Sequence, residues 1–211
     1  MPSKPHLVVL TRLAWCGVGK TRLAGTLGLA RTAQFQRQAC ARLARQLAHR
    51  AAWDFSFALA GPQPHCLPRA MPFLPRGVPV FAQSGGDLGA RFAAICARLF
   101  PRPVILLGSD LPDVAPADID AARRALRHYE AVIGPAQDGG FWLLGLRAQP
   151  RRALRRLFAA IRWSHAETCA DLRAALGARR WQELALRRDI DDGEDYRAWA
   201  RRGLSPAWRP A

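Results

Sequence analysis

Carboxylates stand at several places in this chain where a phosphate-bound cation or a reacting hydroxyl could use them, and a glycine loop with one lysine precedes them all. The loop is AWCGVGKTRL, Ala14 to Leu23. Gly17, Gly19, Lys20 and Thr21 fit the loosest form of a phosphate-binding loop, in which backbone N–H groups and a lysine cradle phosphate oxygens. Ala14 stands where such a loop has its first glycine. Gly25 and Gly28 would fall in the first turns of the helix that follows, each costing ~1 kcal/mol against alanine. A P-loop nucleotide hydrolase and a different phosphate-gripping fold both stay open on this stretch alone.

GSDLP puts Asp110 directly after the apolar run VILLG, where a carboxylate can ligate magnesium or manganese bound to a diphosphate. The same aspartate could instead cap the next helix, a role open to Ser109 and Asp113 as well. GPAQDGGFWLLGL, Gly134 to Leu146, sets Asp138, Gly139 and Gly140 in a turn between two apolar runs. Its glycines permit close approach of backbone to a ligand, and Phe141 or Trp142 offers a stacking face; a plain hairpin turn explains the same residues. In QSGGDLGARF, Gln83 to Phe92, Asp87 and Arg91 lie one turn apart at a helix start, which capping and an i,i+4 ion pair also explain. RRDIDDGEDY, Arg188 to Tyr196, packs Asp189, Asp191, Asp192, Glu194 and Asp195 into seven residues. Such repelling carboxylates are either a solvated helix start, favoured by its dipole, or a site balanced by a cation.

Strands alternating with helices must position these residues. HLVVLTR, DFSFALAG, VPVFAQ, RPVILLGSD, EAVIGPA and FWLLGLR read as strands, and WQELALRRDID reads as extended. Helices are expected over TAQFQRQACARLARQLAHRAA, DLGARFAAICARLF, APADIDAARRALRHY, AETCADLRAALGA and GEDYRAWARRG, with Pro116, Gly177 and Gly203 as stop or start signals. RRALRRLF is a further helical, arginine-bearing segment. Alternation of this kind demands crossover connections and a mostly parallel sheet covered on both faces. Ligands then sit outside the carboxyl ends of the strands, and that edge is where the distinctive loops fall. The proline-rich stretch GPQPHCLPRAMPFLPRGVP reads as a surface loop.

Composition narrows the class. A chain of 211 residues, 50% hydrophobic and 23% charged, suits one globular domain. No apolar run approaches the ~20 residues of a membrane helix, the start lacks a secretory pattern, and a cytoplasmic location is expected. Five scattered cysteines suit free thiols, and His65 with Cys66 is too small a set for zinc. The formal charge of +16 invites a nucleic-acid partner. However, only Lys4 and Lys20 of the 32 basic residues are lysine, and the arginines are spread along helices, so solvated helix faces are expected rather than specific nucleic-acid binding.

Taken in order, GVGKTRL, QSGGDLGARF, GSDLP, GPAQDGGFWLLGL, WSHAET and DIDDGEDY resemble the bacterial glycosyltransferase family of the arsenosugar-biosynthesis type. That family lies within the MobA-like nucleotidyltransferase and nucleotide-diphospho-sugar transferase superfamily. The resemblance runs from the first strand to the last helix. It implies the GT-A fold, a Rossmann-like three-layer α/β/α sandwich with a mostly parallel mixed sheet, over a single domain of residues 1–211. It further implies a transferase that moves a sugar from a nucleotide sugar to a small-molecule acceptor, or alternatively a nucleotide from a nucleoside triphosphate to a phosphorylated acceptor. By the same resemblance Mg2+ or Mn2+ is held by Asp110 and Asp191. Arg12, Gly17, Gly19, Lys20, Arg22, Gln83, Asp87 and Arg91 face the donor and its phosphates. Asp138, Gly139, Gly140, Trp163 and Ser164 face the acceptor, with Asp110, Asp138 and Lys20 as the catalytic set and Asp138 a candidate base. The chain departs from the family pattern at Arg12, where a lysine is usual, at Ala14 and Cys16 in place of prolines, and at His165 and Asp192 in place of threonines. A P-loop-like hydrolase or a catalytically impaired nucleotide-binding protein are the readings from other classes.

Overall fold

The computed structural model describes residues 3–12, 20–61 and 71–201. Gly17 and Gly19 of the glycine loop, with Ala14, Cys16, His65 and Cys66, lie outside the described residues.

Among the described residues seven strands form one sheet: β1 (His6–Arg12), β2 (Asp54–Ala60), β3 (Val80–Ala82), β4 (Val104–Gly108), β5 (Ala131–Pro135), β6 (Phe141–Leu146) and β7 (Trp181–Glu183). Their order is β3-β2-β1-β4-β6-β5-β7. All neighbouring pairs are parallel except those made by β6, which runs antiparallel to both β4 and β5. This is the expected mostly parallel mixed sheet. The β5–β6 reversal follows from the short turn through Asp138, since only an antiparallel pair can be joined so tightly.

Successive side chains of a strand face opposite sides of the sheet, and the apolar runs of β1 and β4 therefore feed two cores. Leu7, Val9, Ile105 and Leu107 pack against Leu43 and Leu47 of α2 (Leu29–Leu47) and Ile119 and Ala122 of α4 (Pro116–Ala125). Val8, Val104 and Leu106 pack on the other face with Phe92 and Ile95 of α3 (Leu88–Leu99), Leu154 and Phe158 of α5 (Arg151–Phe158), and Leu172 of α6 (Thr168–Leu176). Three layers result. Four arginines of α5 are exposed while Leu154, Leu157 and Phe158 are buried, as an amphipathic helix requires.

Two helices complete the frame around the carboxyl edge. α1 (Thr21–Leu27) is short because Gly28, at φ 79°, turns the chain into α2. Gly25 and Gly28 thus do not argue against a helix after Lys20: the first is tolerated inside it and the second ends it. α7 (Gly193–Arg201) joins α1 and α2 through a third cluster of Leu23, Phe35, Ile190 and Trp199. Among the described residues no helix is long and apolar enough to cross a membrane.

Candidate active site

Lys20 is the last residue before α1 and takes a left-handed conformation, φ 43° and ψ 47°. Its side chain is 7% exposed. The ammonium donates to Asp110 Oδ1 at 2.9 Å, to Asp191 Oδ1 at 3.0 Å and to the carbonyl of Ile190. Burial opposes the charge, but the two carboxylates and their hydrogen bonds outweigh it and hold the Lys20 pKa above the usual lysine value.

The chain brings these partners together by running its C-terminal segment along the sheet. After β7, Leu184 N–H donates to the carbonyl of Ile133, Arg187 N–H to that of Pro135, and Ile190 N–H to that of Asp110 at 3.2 Å. The expected extended run from Trp181 to Asp191 is therefore only a three-residue strand by pairing, yet it tracks β5 to the carboxyl edge. The Arg187 guanidinium lies 5.0 Å from the centroid of the Trp142 ring and pairs with Asp118 at 2.5 Å, which fixes the segment midway.

Four of the five acidic residues of this segment divide between two roles, while Glu194 is exposed and pairs with Arg188 at 3.4 Å. Asp192 caps α7: its Oδ1 accepts from Glu194 N at 2.8 Å and Asp195 N at 2.9 Å. Asp195 returns the contact, its Oδ2 accepting from Asp192 N at 3.1 Å and Asp191 N at 3.0 Å, while Arg188 Nε donates to its other oxygen. This is a capping box with aspartate at both ends. Where the family pattern has threonine, Asp192 supplies an equivalent cap.

Asp189 and Asp191 take the other role. One carboxylate oxygen from each of Asp138, Asp189 and Asp191 lies within 4.8 Å of the other two. Burial, then the charges of Asp191 and Asp138, push the Asp189 pKa up to about 7. Oxygens bound to one divalent ion stand at most about twice the metal–oxygen distance apart, ~4–5 Å for magnesium or calcium-like radii. The trio's 4.8 Å falls within the span of a calcium-sized ion and slightly beyond the ~4.2 Å of Mg2+, a gap that a small side-chain turn closes; hard oxygen donors suit either ion or Mn2+. Asp110 joins Asp191 through Lys20 and is not a member of the trio; Asp189, in the acidic run but not singled out from sequence, is. Beside Asp189 opens a cavity of about 350 Å³, with Leu111, Gln137, Leu186 and Trp199 in its lining.

Of the other expected site residues, several make contacts within the frame, while Arg12, Arg22 and Ser164 are exposed. Gln83 Nε2 donates to the carbonyls of Ala58 at 2.7 Å and Thr11 at 3.3 Å, tying the ends of β2 and β1. Asp87 caps α3 through Ala90 N at 2.7 Å, and Arg91 Nε donates to the Gly86 carbonyl at 2.9 Å instead of pairing with Asp87. Trp163 packs edge-on to Phe92 at 5.5 Å and Phe158 at 5.6 Å, and lies so close to Gly89 that a Cβ there would meet its Nε1 at 2.5 Å. Gly139, at φ 86°, abuts the Ala166 carbonyl, and its own carbonyl accepts from Cys169 N at 2.9 Å. Gly140 N donates to Asp138 Oδ1 at 2.8 Å. Ser164 is exposed at φ 58°, and the His165 Nδ1 accepts from Glu167 N at 3.1 Å, a local turn contact that a threonine hydroxyl also makes. Arg12 and Arg22 are exposed at the end of β1 and the start of α1.

A bacterial sequence family described as "Uncharacterized protein conserved in bacteria (DUF2064)" matches residues 26–165, about two thirds of the chain. The chain belongs to this family. The DUF2064 match takes in Asp110 and Asp138, while Lys20, Asp189 and Asp191 lie beyond its two ends. No curated protein matches. Among solved structures, one from Desulfovibrio desulfuricans G20, whose assignment as a nucleotide-diphospho-sugar transferase is provisional, has 26% identity and a TM-score of 0.84, with 97% of this chain and 90% of that one covered. CMP:2-keto-3-deoxy-manno-octonic acid synthetase complexed with CTP shares the fold at 14% identity and TM-score 0.58, over 96% of this chain and 100% of that one. Rv0371c of Mycobacterium tuberculosis H37Rv in complex with manganese does so at 22% identity and TM-score 0.55, over 93% and 97%. The α/β fold of this DUF2064 chain is thus that of nucleotide-diphospho-sugar transferases and cytidylyltransferases.

Proposed function

We propose that this chain is a divalent-cation-dependent transferase that takes a sugar from a nucleotide sugar and gives it to a small-molecule acceptor. The observation that carries the reading is the convergence of buried Lys20 with Asp110 and Asp191 at the carboxyl edge of the sheet, where α/β folds bind ligands. The likeness to the Desulfovibrio structure supports a nucleotide-activated donor, and the manganese complex of Rv0371c supports a cation.

Asp191, with Asp110 or Asp189 beside it, would hold Mg2+ or Mn2+. When bound, such an ion neutralises charge on the phosphates and makes the nucleoside diphosphate a better leaving group. Lys20, Arg12 and Arg22 supply donors to phosphate oxygens, the arginines from exposed positions that a donor can reach. Asp138 is the exposed member of the carboxylate trio, and among the described residues only its Oδ1 is engaged, by Gly140 N. Its second oxygen would take the proton of an acceptor hydroxyl. The arsenosugar-type resemblance supplies the first acceptor class to be tried.

Nucleotidyl transfer is the second reading, favoured by the CTP complex of the synthetase that shares the fold. The two differ in the bond that breaks. Sugar transfer cleaves the anomeric C–O bond and releases a nucleoside diphosphate; nucleotidyl transfer cleaves at the α-phosphorus of a triphosphate and releases pyrophosphate. Incubation with a panel of nucleotide sugars and nucleoside triphosphates plus Mn2+, followed by assay of both leaving groups, tests the proposal. Nucleoside diphosphate release supports it, pyrophosphate release replaces it with the second reading, and neither product from any donor rejects both.

A further inference from the structure

Lys20 is asked to do two things that one ammonium cannot do together. A phosphate-gripping lysine must reach the donor, yet here the ammonium is spent on Asp110 at 2.9 Å, Asp191 at 3.0 Å and the Ile190 carbonyl. A divalent ion bound by the same carboxylate oxygens at ~2.0–2.6 Å would enter the space that the ammonium fills. Two positive charges at such range repel, the more so because Lys20 itself is buried.

We propose that Lys20 is an internal counter-cation that competes with the divalent metal for Asp110 and Asp191, and that donor phosphates end the competition by drawing the ammonium onto themselves. The proposal rests on the metal-dependent transferase reading and adds its regulation: metal alone binds weakly, and metal and donor bind cooperatively. Because coupling between two ligands is reciprocal, each raises the affinity for the other by the same factor.

Three features of the chain permit such an exchange. The Asp110 and Asp191 side chains are 42% and 39% exposed, open to an ion from solvent, whereas Lys20 approaches them from the buried side. The backbone of Asp191 is set by Asp195 and by the Asp192 cap, so the residue keeps its place without Lys20. Lys20 sits at the junction of the glycine loop and α1 on a flexible four-carbon stem, able to turn from one anion to another.

Binding of Mn2+ to the full-length protein, followed by electron paramagnetic resonance of the free ion, tests the proposal in wild type, Lys20→Met and Lys20→Arg. Without phosphate ligands, Lys20→Met should bind Mn2+ at least about tenfold more tightly than wild type, since the competing charge is gone, while Lys20→Arg should stay near wild type. The manganese–pyrophosphate complex should show the opposite order, binding Lys20→Met more weakly than wild type. Mn2+ affinity in Lys20→Met equal to or below wild type overturns the competition while leaving a metal site. Equal or tighter binding of manganese–pyrophosphate by Lys20→Met overturns the transfer to phosphate. Absence of Mn2+ binding to every variant removes the metal reading and this inference with it. Should Lys20→Met fail to fold, Lys20→Gln, neutral but still a donor to Asp191, takes its place under the same criteria.

Discussion

The Lys20 ammonium stands 3.0 Å from Asp191 Oδ1, a contact across 171 positions of sequence. It joins the loop after the first strand to the end of the last extended segment, and both sides are braced by apolar packing. Leu23 of α1 and Ile190 beside Asp191 share a cluster with Phe35 and Trp199. At Gly193 there is no room for a side chain, because a Cβ would meet Thr26 Oγ1 at 2.3 Å. The pair is therefore held by the fold and not by its own attraction alone.

The division of the acidic run into cap and site can be read by thermal melting. Asp192→Ala should cost ~1 kcal/mol, the usual worth of a helix cap, and lower the melting temperature by ~2–4 °C in a protein of this size. Asp192→Thr should restore most of it and leave turnover unchanged. A loss of turnover in Asp192→Thr at unchanged melting temperature would place Asp192 in the site instead.

Gly139 should behave as a structural glycine. A Cβ at this position would lie 1.8 Å from the Ala166 carbonyl oxygen, and its φ of 86° is unfavourable for any other residue. Gly139→Ala should cost at least ~2–3 kcal/mol in urea unfolding. Gly85→Ala, with no atom within 4 Å of the new methyl group, serves as the control. If Gly139→Ala unfolds at the wild-type midpoint but binds acceptor poorly, the glycine contacts ligand.

Stability should fall in acid through His6, whose Nε2 lies 2.9 Å from Ser56 Oγ at the start of β1. Burial, followed by the charge of Arg102, holds its pKa below the ordinary 6.5, with Asp54 acting in the other direction. Protonation is thus more costly in the folded chain than in the unfolded one. The stabilising contribution is complete above pH 6.5 and is lost as the pH falls through that value toward the lower folded pKa. Urea unfolding at about pH 7.5 and 5.5 should show a smaller drop in His6→Gln than in wild type. Equal drops in the two proteins would exclude His6 as the source.

Much of the frame was legible because it depends on local pattern. The runs HLVVLTR and FWLLGLR differ from β1 and β6 by at most one residue, since buried strands must be continuous apolar stretches. The site was legible only in part. Asp110 and Asp138 stand out at the ends of apolar runs, but five carboxylates within seven residues look alike until the chain path separates them. Only the pairing of Ile190 with Asp110 and the capping box at α7 assign Asp189 and Asp191 to one task and Asp192 and Asp195 to another. The resemblance points Trp163 toward an acceptor, and its edge-on packing with Phe92, 71 positions away, is a contact that its own stretch does not reveal. The departures at His165 and Asp192 look disruptive as letters, yet each makes a backbone contact of the kind a threonine makes.

The central claim, that Asp191 and Lys20 mark a site for a metal-bound nucleotide donor, is tested most directly by thermal stabilisation. Wild type, Asp191→Asn and Asp113→Asn would be melted with nucleoside triphosphates and nucleotide sugars, with and without Mn2+. At least one donor should raise the melting temperature of wild type by ~2 °C or more in the presence of Mn2+, as mass action requires for a ligand that binds only the folded state. Asp113→Asn should respond as wild type does, and Asp191→Asn should not respond. Full stabilisation of Asp191→Asn, or no stabilisation of wild type by any donor, would contradict the account.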